Sequence, residues 1–119
     1  MTLSDSYLQR FSGIARLYGV QALEHLAGAH FVVVGLGGVG SWVAEALARS
    51  GVNQLTLIDM DDICITNINR QLPALGSTVG QLKTESLKNR LLDINPEMRV
   101  HVIDDFLDKP NIPRFLISA

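Results

Sequence analysis

The sequence predicts an α/β fold, because apolar runs typical of strands alternate with stretches of helical periodicity. Residues 31–50 follow the order apolar run, glycine-rich turn and helix. Two further apolar runs, Leu55–Ile58 and Arg99–Ile103, are separated by a predicted helix over Val79–Ile94. This alternation is typical of a Rossmann-like, doubly wound and mostly parallel sheet.

The first 29 residues are predicted to form a helical segment of two short helices in front of the sheet. Gly13 and Gly19 are expected to interrupt the first helix, and a second is expected over Val20–Ala27. Arg16 is one of two arginines in this segment, and a solvated surface position is the simplest interpretation of it.

The glycine-rich turn carries the first functional signal. Gly35, Gly37 and Gly40 match G-x-G-x-x-G, in which the glycines serve a tight turn, close approach of a phosphate and close packing of helix on strand. The N-terminus of the following helix offers N–H groups to an anion. The alternative is a turn that is rich in glycine for packing alone. We therefore predict a nucleotide-binding unit over residues 30–119.

The helix after this turn is expected to bury the side that carries Trp42, Ala46 and Leu47. Glu45 and Arg49 are expected on its solvated side. Since the preceding strand is rich in valine, we expect it to be buried on both faces.

Asp59 follows the second strand and lies about twenty residues after Gly40, the spacing of a ribose-binding carboxylate in nucleotide-binding βαβ units. A carboxylate there accepts hydrogen bonds from ribose hydroxyls and repels a 2′-phosphate. The alternative is an ordinary loop aspartate after a strand.

The connection at 60–76 is long and places Asn67, Arg70 and Gln71 close together. Hydride transfer needs no such group, whereas nucleotidyl transfer needs a guanidinium and amide donors directed at phosphate oxygens. Lys83 lies near the N-terminus of the next helix, where a bound anion would offset its unfavourable position. The alternative for the three residues of the connection is solvent exposure.

Composition limits the class of protein. With 119 residues, 47% of them hydrophobic, the chain is one domain or part of one, and we expect a fragment because a three-stranded parallel sheet leaves an edge open. The net charge of −2 gives no sign of nucleic-acid or membrane binding through bulk charge. Cys64 is expected to be buried, and neither histidine nor cysteine spacing predicts a metal site. Without a signal-peptide pattern or a membrane-spanning run, we expect a cytoplasmic protein.

Four motifs in order resemble the ThiF/MoeB/HesA superfamily of adenylating enzymes, which are of the ubiquitin-activating type. The motifs are Gly35–Gly40, Asp59–Asp61, Asn67–Gln71 and Gly80–Lys83. Within the superfamily, residues 9–19 and 58–62 are similar to the tRNA threonylcarbamoyladenosine dehydratase branch.

The resemblance implies binding of ATP and its activation of a carboxylate as an acyl-adenylate, with release of pyrophosphate. The residues implied to bind the nucleotide are Gly35, Gly37, Gly38, Gly40, Asp59, Asp61 and Gln71. Those implied to act on the phosphates in catalysis are Asn67, Arg70 and Lys83. In the dehydratase branch the carboxylate is the threonyl group of a modified adenosine in tRNA, and ring closure completes a net loss of water.

The resemblance also implies a homodimer, a tRNA substrate bound through parts outside this chain, and Mg²⁺ held by an aspartate beyond Ala119. Many relatives supply a second arginine across the dimer where this chain has Gly13, and Arg16, one helical turn on, is expected to replace it. We expect residues 1–119 alone to be inactive.

Three other interpretations stay open at this point. The first is adenylation of a ubiquitin-like sulfur carrier, with a sulfur-carrier or cysteine-desulfurase system as partner. The second is an NAD-binding oxidoreductase domain, against which Arg70 and Lys83 argue. A fragment that only dimerises is a third.

Overall fold

A computed structural model describes residues 2–106 and 108–116 and confirms the predicted α/β class. Strands β1 (His30–Val34), β2 (Gln54–Ile58) and β3 (Arg99–Ile103) form a parallel sheet in the order β1-β2-β3. The helices are α1 (Asp5–Tyr18), α2 (Val20–Gly28), α3 (Gly40–Arg49), α4 (Lys83–Ile94) and α5 (Ile112–Leu116), with a 3₁₀ turn at Ile65–Asn67. Within the part described, no helix combines the length and apolar character needed to cross a membrane.

One face of the sheet packs against α3 and α4. Val33, Leu57 and Val102 are aligned across the three strands on this face. The buried core that they join consists of Val33, Leu36, Ala44, Ala48, Val52, Leu55, Leu57, Leu87, Leu91, Met98 and Val100. The expectation that β1 is buried on both faces is wrong, because β1 lies at one end of the described sheet and only Val33 in it is buried.

The buried side of α3 differs from the predicted one. Trp42 is 52% exposed, whereas Ala44 and Ala48 are fully buried and allow the helix to approach the sheet closely. Glu45 is buried too, because its carboxylate accepts two hydrogen bonds from Arg90 of α4. These bonds lower the pKa of Glu45 although burial opposes the shift.

Helix α4 begins at Lys83, four residues later than predicted. Gly80 has φ +93°, a conformation that interrupts a helix. The preceding segment instead pairs with the loop after β2: Ile63 N–H donates to Gln81 O at 2.8 Å, and Gly80 N–H donates to Ile63 O at 2.9 Å. This pairing between distant residues replaces the first predicted helical turn.

The N-terminal helices pack around their own small core of Tyr7, Phe11, Leu23 and Ala27. Helix α1 continues through Gly13 and ends before Gly19, so the predicted interruption at Gly13 is wrong. Ile14 and Ala15, which follow the glycine, pack against the same core as Tyr7 and Phe11, and this packing offsets the low helix propensity of Gly13. The Tyr7 hydroxyl donates to the carbonyl of Gly51, and burial raises the pKa of Tyr7 to about 12.

Candidate functional site

The predicted site residues gather at the carboxyl ends of β1 and β2, which form one edge of the sheet. The glycine loop (residues 35–40) follows β1, and Asp59 follows β2. Gly35 N–H donates to Ile58 O at 2.8 Å, so the first residue of the loop extends the pairing of the two strands. Edges of this kind bind ligands in open α/β sheets.

The three motif glycines have three different reasons for lacking a side chain. Gly35 has φ +85°, which side chains disfavour. A Cβ on Gly40 would lie 1.7 Å from the carbonyl oxygen of Gly35, so the start of α3 has no room for one. A Cβ on Gly37 would meet only Gln71 Nε2, at 3.7 Å, so the protein itself leaves space there. That space is consistent with close approach of a ligand to the Gly37 main chain.

Asp59 joins the glycine loop to the segment after β2. Its Oδ2 accepts a hydrogen bond from Leu36 N–H at 2.7 Å, and its Oδ1 accepts one from Asp61 N–H at 2.8 Å. Each carboxylate oxygen keeps a further lone pair for a ligand hydroxyl. The sequence spacing predicted a ligand role for Asp59 but gave no sign of its bond to Leu36.

Arg70 lies beside the glycine loop, where a Cβ on Gly38 would be 3.5 Å from its Cγ and Cδ. Its Nη1 donates to Asn69 Oδ1 at 2.9 Å and to Thr66 O at 3.3 Å. The side chain is exposed, so the guanidinium keeps donors available for an anion at the loop.

Gln71 is 7% exposed, with its Nε2 directed toward Gly37. Its Oε1 is buried and has no hydrogen-bond partner among the described residues. A buried acceptor of this kind needs a donor from a bound molecule or water. The amide group that faces the glycine loop is the Nε2 donor, which a phosphate oxygen can accept from.

Asn67 ends the 3₁₀ turn, and its Oδ1 accepts a hydrogen bond from Cys64 N–H at 2.9 Å. The oxygen of the amide thus holds the loop, which leaves the NH₂ group as the part that can donate to a phosphate. Cys64 is exposed, so the expectation of a buried cysteine is wrong. The reason is its place in a surface turn that packs against no core cluster.

Lys83 is the first residue of α4, and its side chain is 8% exposed. Its Nζ lies 3.8 Å from Asp61 Oδ2, and its N–H donates to Asp61 O at 3.1 Å. The carboxylate of Asp61 offsets part of the repulsion between the ammonium and the positive end of the helix. Asp61 itself is largely exposed, whereas the Lys83 side chain is nearly buried.

A cleft of about 170 Å³ opens at the same edge of the sheet, beside Asp59. It is lined by Val34, Gly35, Ile58, Asp59, Met60, Asp105 and Phe106. Its mostly apolar wall suits a flat apolar ring. Neither Met60 nor Phe106 was predicted to line a site, although both follow strands that end at this edge.

Arg16 is the predicted site residue that the structure does not bring to this edge. It lies exposed in the last turn of α1, and it forms no hydrogen bond with the glycine loop in the part of the chain that is described. Residues 2–106 and 108–116 contain no group of three or more His, Cys, Asp or Glu side chains that could hold a metal ion.

Comparison with known proteins identifies the family to which this arrangement belongs. The sequence matches the ThiF family over residues 10–119, which is nearly the whole chain. The chain belongs to the ThiF family.

Several relatives of this ThiF-family chain have names or known structures. It is 59% identical to a tRNA threonylcarbamoyladenosine dehydratase of Haemophilus influenzae over 116 residues, which are 98% of this chain and 44% of the relative. It superposes on the E. coli tRNA N6-threonylcarbamoyladenosine dehydratase in complex with ATP with a TM-score of 0.98 and 53% identity, over 100% of this chain and 49% of that one. A molybdopterin-synthase adenylyltransferase of Salmonella typhimurium is 39% identical over 89% of this chain and 43% of the relative.

The ThiF-family chain therefore spans somewhat less than half the length of the curated relatives that it matches. The resemblance stated from the four sequence motifs is confirmed, and so is the Rossmann-like fold.

Proposed function

We propose that this chain is the nucleotide-binding part of an enzyme that uses ATP to activate a carboxylate as an acyl-adenylate. The observation that carries the proposal is the meeting of Arg70 and Gln71 with Gly37 and Gly38 of the glycine loop, beside the carboxylate of Asp59. A loop that binds phosphates gains nothing for hydride transfer from an adjacent guanidinium, whereas phosphoryl chemistry needs one. The ATP complex of the E. coli relative supports the choice of ATP.

In this proposal each residue has a distinct task. The ATP phosphates lie over the main chain of the glycine loop, and Asp59 accepts hydrogen bonds from the ribose hydroxyls. The substrate carboxylate attacks the α-phosphorus, and the bond to the β-phosphate breaks to release pyrophosphate. Arg70, Lys83 and the NH₂ group of Asn67 stabilise the charge that develops on the phosphate oxygens.

We propose further that the carboxylate is the threonyl group of threonylcarbamoyladenosine in tRNA, as the names of the relatives at 54–59% identity suggest. A nucleophile within the modified adenosine then attacks the activated carbonyl, closes a ring and expels AMP. The substrate loses one water overall, and the chain needs no nucleophilic side chain of its own.

The second candidate is adenylation of a ubiquitin-like sulfur carrier, favoured by the 39% identity to a molybdopterin-synthase adenylyltransferase. It uses the same ATP residues, and its partner would be a sulfur-carrier or cysteine-desulfurase system. The higher identity to the dehydratases makes tRNA our first choice.

Further proposals complete this assignment. The enzyme works in the cytoplasm as a homodimer, and Arg16 of each protomer reaches the nucleotide of its partner. Its tRNA is bound mainly by parts outside this chain, and Mg²⁺ is held by an aspartate beyond Ala119, so residues 1–119 alone form no adenylate. The described residues offer no metal cluster of their own, and we assign no step to the ion.

The decisive measurement is ATP–pyrophosphate exchange by the complete gene product, with tRNA that carries threonylcarbamoyladenosine or with a sulfur-carrier protein. We expect exchange with the modified tRNA and a loss of about a hundredfold or more in Arg70→Ala, the effect of removing one charge-stabilising donor. Arg49→Ala is the matched control, because Arg49 lies at the other end of α3 and 59% of its side chain is exposed.

Exchange that needs only the carrier protein would transfer the assignment to the sulfur-carrier branch. Exchange with neither substrate, or full activity of Arg70→Ala, would refute the proposed function. Binding of NAD in preference to ATP would support the oxidoreductase alternative instead.

A further inference from the structure

Trp42 and Arg70 belong to different elements and are joined by one hydrogen bond. Trp42 lies in the first turn of α3, and its indole Nε1 donates to the main-chain carbonyl of Arg70 at 2.9 Å. Because the ring is 52% exposed, burial in the core does not account for a tryptophan at this position. Its polar atom, in contrast, has a defined partner.

Among the described residues, the other hydrogen bonds of Arg70 all lie within its own loop, including the one from its N–H to Asn67 O at 3.2 Å. The guanidinium is held by Asn69 Oδ1 and Thr66 O, both within four residues of it. These local contacts fix the shape of the side chain but not its distance from the glycine loop. The indole bond ties the Arg70 main chain to the helix that continues from that loop.

A second pair of hydrogen bonds, made by Ser41, connects α3 to the same two segments. Ser41 Oγ donates to Gly37 O at 2.5 Å and accepts a hydrogen bond from Leu72 N–H at 3.3 Å. Ser41 thus connects the glycine loop to Leu72, the residue after Gln71. Trp42, the next residue of α3, is hydrogen-bonded to Arg70. A shift of the main chain at Arg70 would move its guanidinium relative to the phosphate-binding turn.

We infer that Trp42 is a positioning residue, whose indole N–H holds the Arg70 main chain where the guanidinium reaches phosphates bound at the glycine loop. The inference rests on the proposed function, because it takes Arg70 to act on the phosphates of ATP. A displacement of the reacting groups by even about an ångström lowers rates strongly, so a single main-chain bond has a kinetic effect.

The test is a double-mutant cycle in the complete gene product, with pyrophosphate exchange and ATP affinity as readouts. Trp42→Phe keeps an aromatic ring and removes the N–H donor, and we expect kcat to fall about five- to tenfold, the effect of one neutral hydrogen bond. We expect the Kd for ATP to change by less than about twofold. The indole hydrogen bond positions Arg70 for the attack on the α-phosphorus and contributes little to the binding of ATP in the ground state. Val43→Ala, at the next and also exposed residue of α3, is the matched control and should keep wild-type rates.

In the Arg70→Ala background, Trp42→Phe should have no further effect, because its partner has lost the side chain that it positions. Equal effects in both backgrounds would mean that Trp42 has a merely structural role, and a wild-type rate in Trp42→Phe would also overturn the inference. An unimpaired Arg70→Ala would refute the proposed function itself, which separates the two failures. Should Trp42→Phe lower the melting temperature, 3-benzothienylalanine at position 42 replaces only the N–H by sulfur and repeats the test with the same two outcomes.

Discussion

Alanine substitutions at Gly37 and Gly40 separate binding from folding within the glycine loop. In Gly40→Ala the new Cβ would lie 1.7 Å from the Gly35 carbonyl oxygen, so the loop or α3 must move by about 1.5 Å to reach van der Waals contact. Displacing packed main chain costs at least about 3 kcal/mol, which lowers the melting temperature of a domain of 150–250 residues by about 6–12 °C.

Gly37→Ala should have the opposite profile. The new Cβ has only an ordinary contact at 3.7 Å with Gln71 Nε2, and Gly37 does not need a positive φ. The free energy of unfolding should therefore change by less than about 0.5 kcal/mol, as it does for a substitution at an ordinary surface position. The methyl group occupies space that we assign to a phosphate, so ATP affinity should fall at least about tenfold, or ~1.4 kcal/mol.

Thermal unfolding and calorimetric titration with a non-hydrolysable ATP analogue measure the two effects on the complete gene product. Gly76→Ala is the control, because a Cβ there meets nothing within 4 Å. Wild-type ATP affinity in Gly37→Ala would refute the placement of the phosphates. Wild-type stability in Gly40→Ala would refute the close packing of α3 on the loop.

Three other substitutions test the packing and the site. Burial raises the pKa of Tyr7 to about 12, so its contribution to stability is complete below the unfolded value near 10 and is lost between about pH 10 and 12, at no more than ~1.4 kcal/mol per pH unit. Denaturant titrations at several pH values should show that the free energy of unfolding of Tyr7→Phe falls less between about pH 10 and 12 than that of the wild type. An equal fall in both proteins would contradict the burial of Tyr7. Hydrogen bonds from Arg90 lower the pKa of Glu45, so that contribution is complete above the unfolded value of 4.5 and is lost as pH falls through the folded pKa. Glu45→Gln should cost about 1–3 kcal/mol at pH 7 and remove that acid dependence, whereas equal stability would show that the ion pair is dispensable. Lys83→Met should keep the melting temperature but reduce pyrophosphate exchange by about a hundredfold, and normal exchange would remove Lys83 from the mechanism.

The parts of the fold that depend on local sequence could be predicted. Strand β3 has the predicted limits and β2 begins one residue earlier than predicted, because short apolar runs next to turn residues are local signals. The conformations of Gly35 and Gly40 likewise agree with the roles that the motif assigns to them. These features need no knowledge of distant residues.

The errors arise where a distant residue decides the local structure. Glu45 is buried because Arg90, 45 positions away, forms an ion pair with it, and periodicity within one helix cannot reveal that partner. The start of α4 is late because Gly80 pairs with Ile63. In the site, the bond from Leu36 to Asp59 and the apolar cleft depend in the same way on how strands meet at one edge. The roles of the individual site residues stay predictions.

The two main-chain hydrogen bonds of Asp59 have a consequence for engineering nucleotide preference. In folds of this class the acidic residue after the second strand recognises the ribose hydroxyls, so it is the obvious position to exchange. Here the same carboxylate joins Leu36 of the glycine loop to Asp61, and an asparagine would turn an NH₂ group toward one of these two N–H donors. A substitution made at Asp59 to change nucleotide preference would therefore also loosen the glycine loop, so preference is better altered through Met60 and Phe106 in the neighbouring cleft.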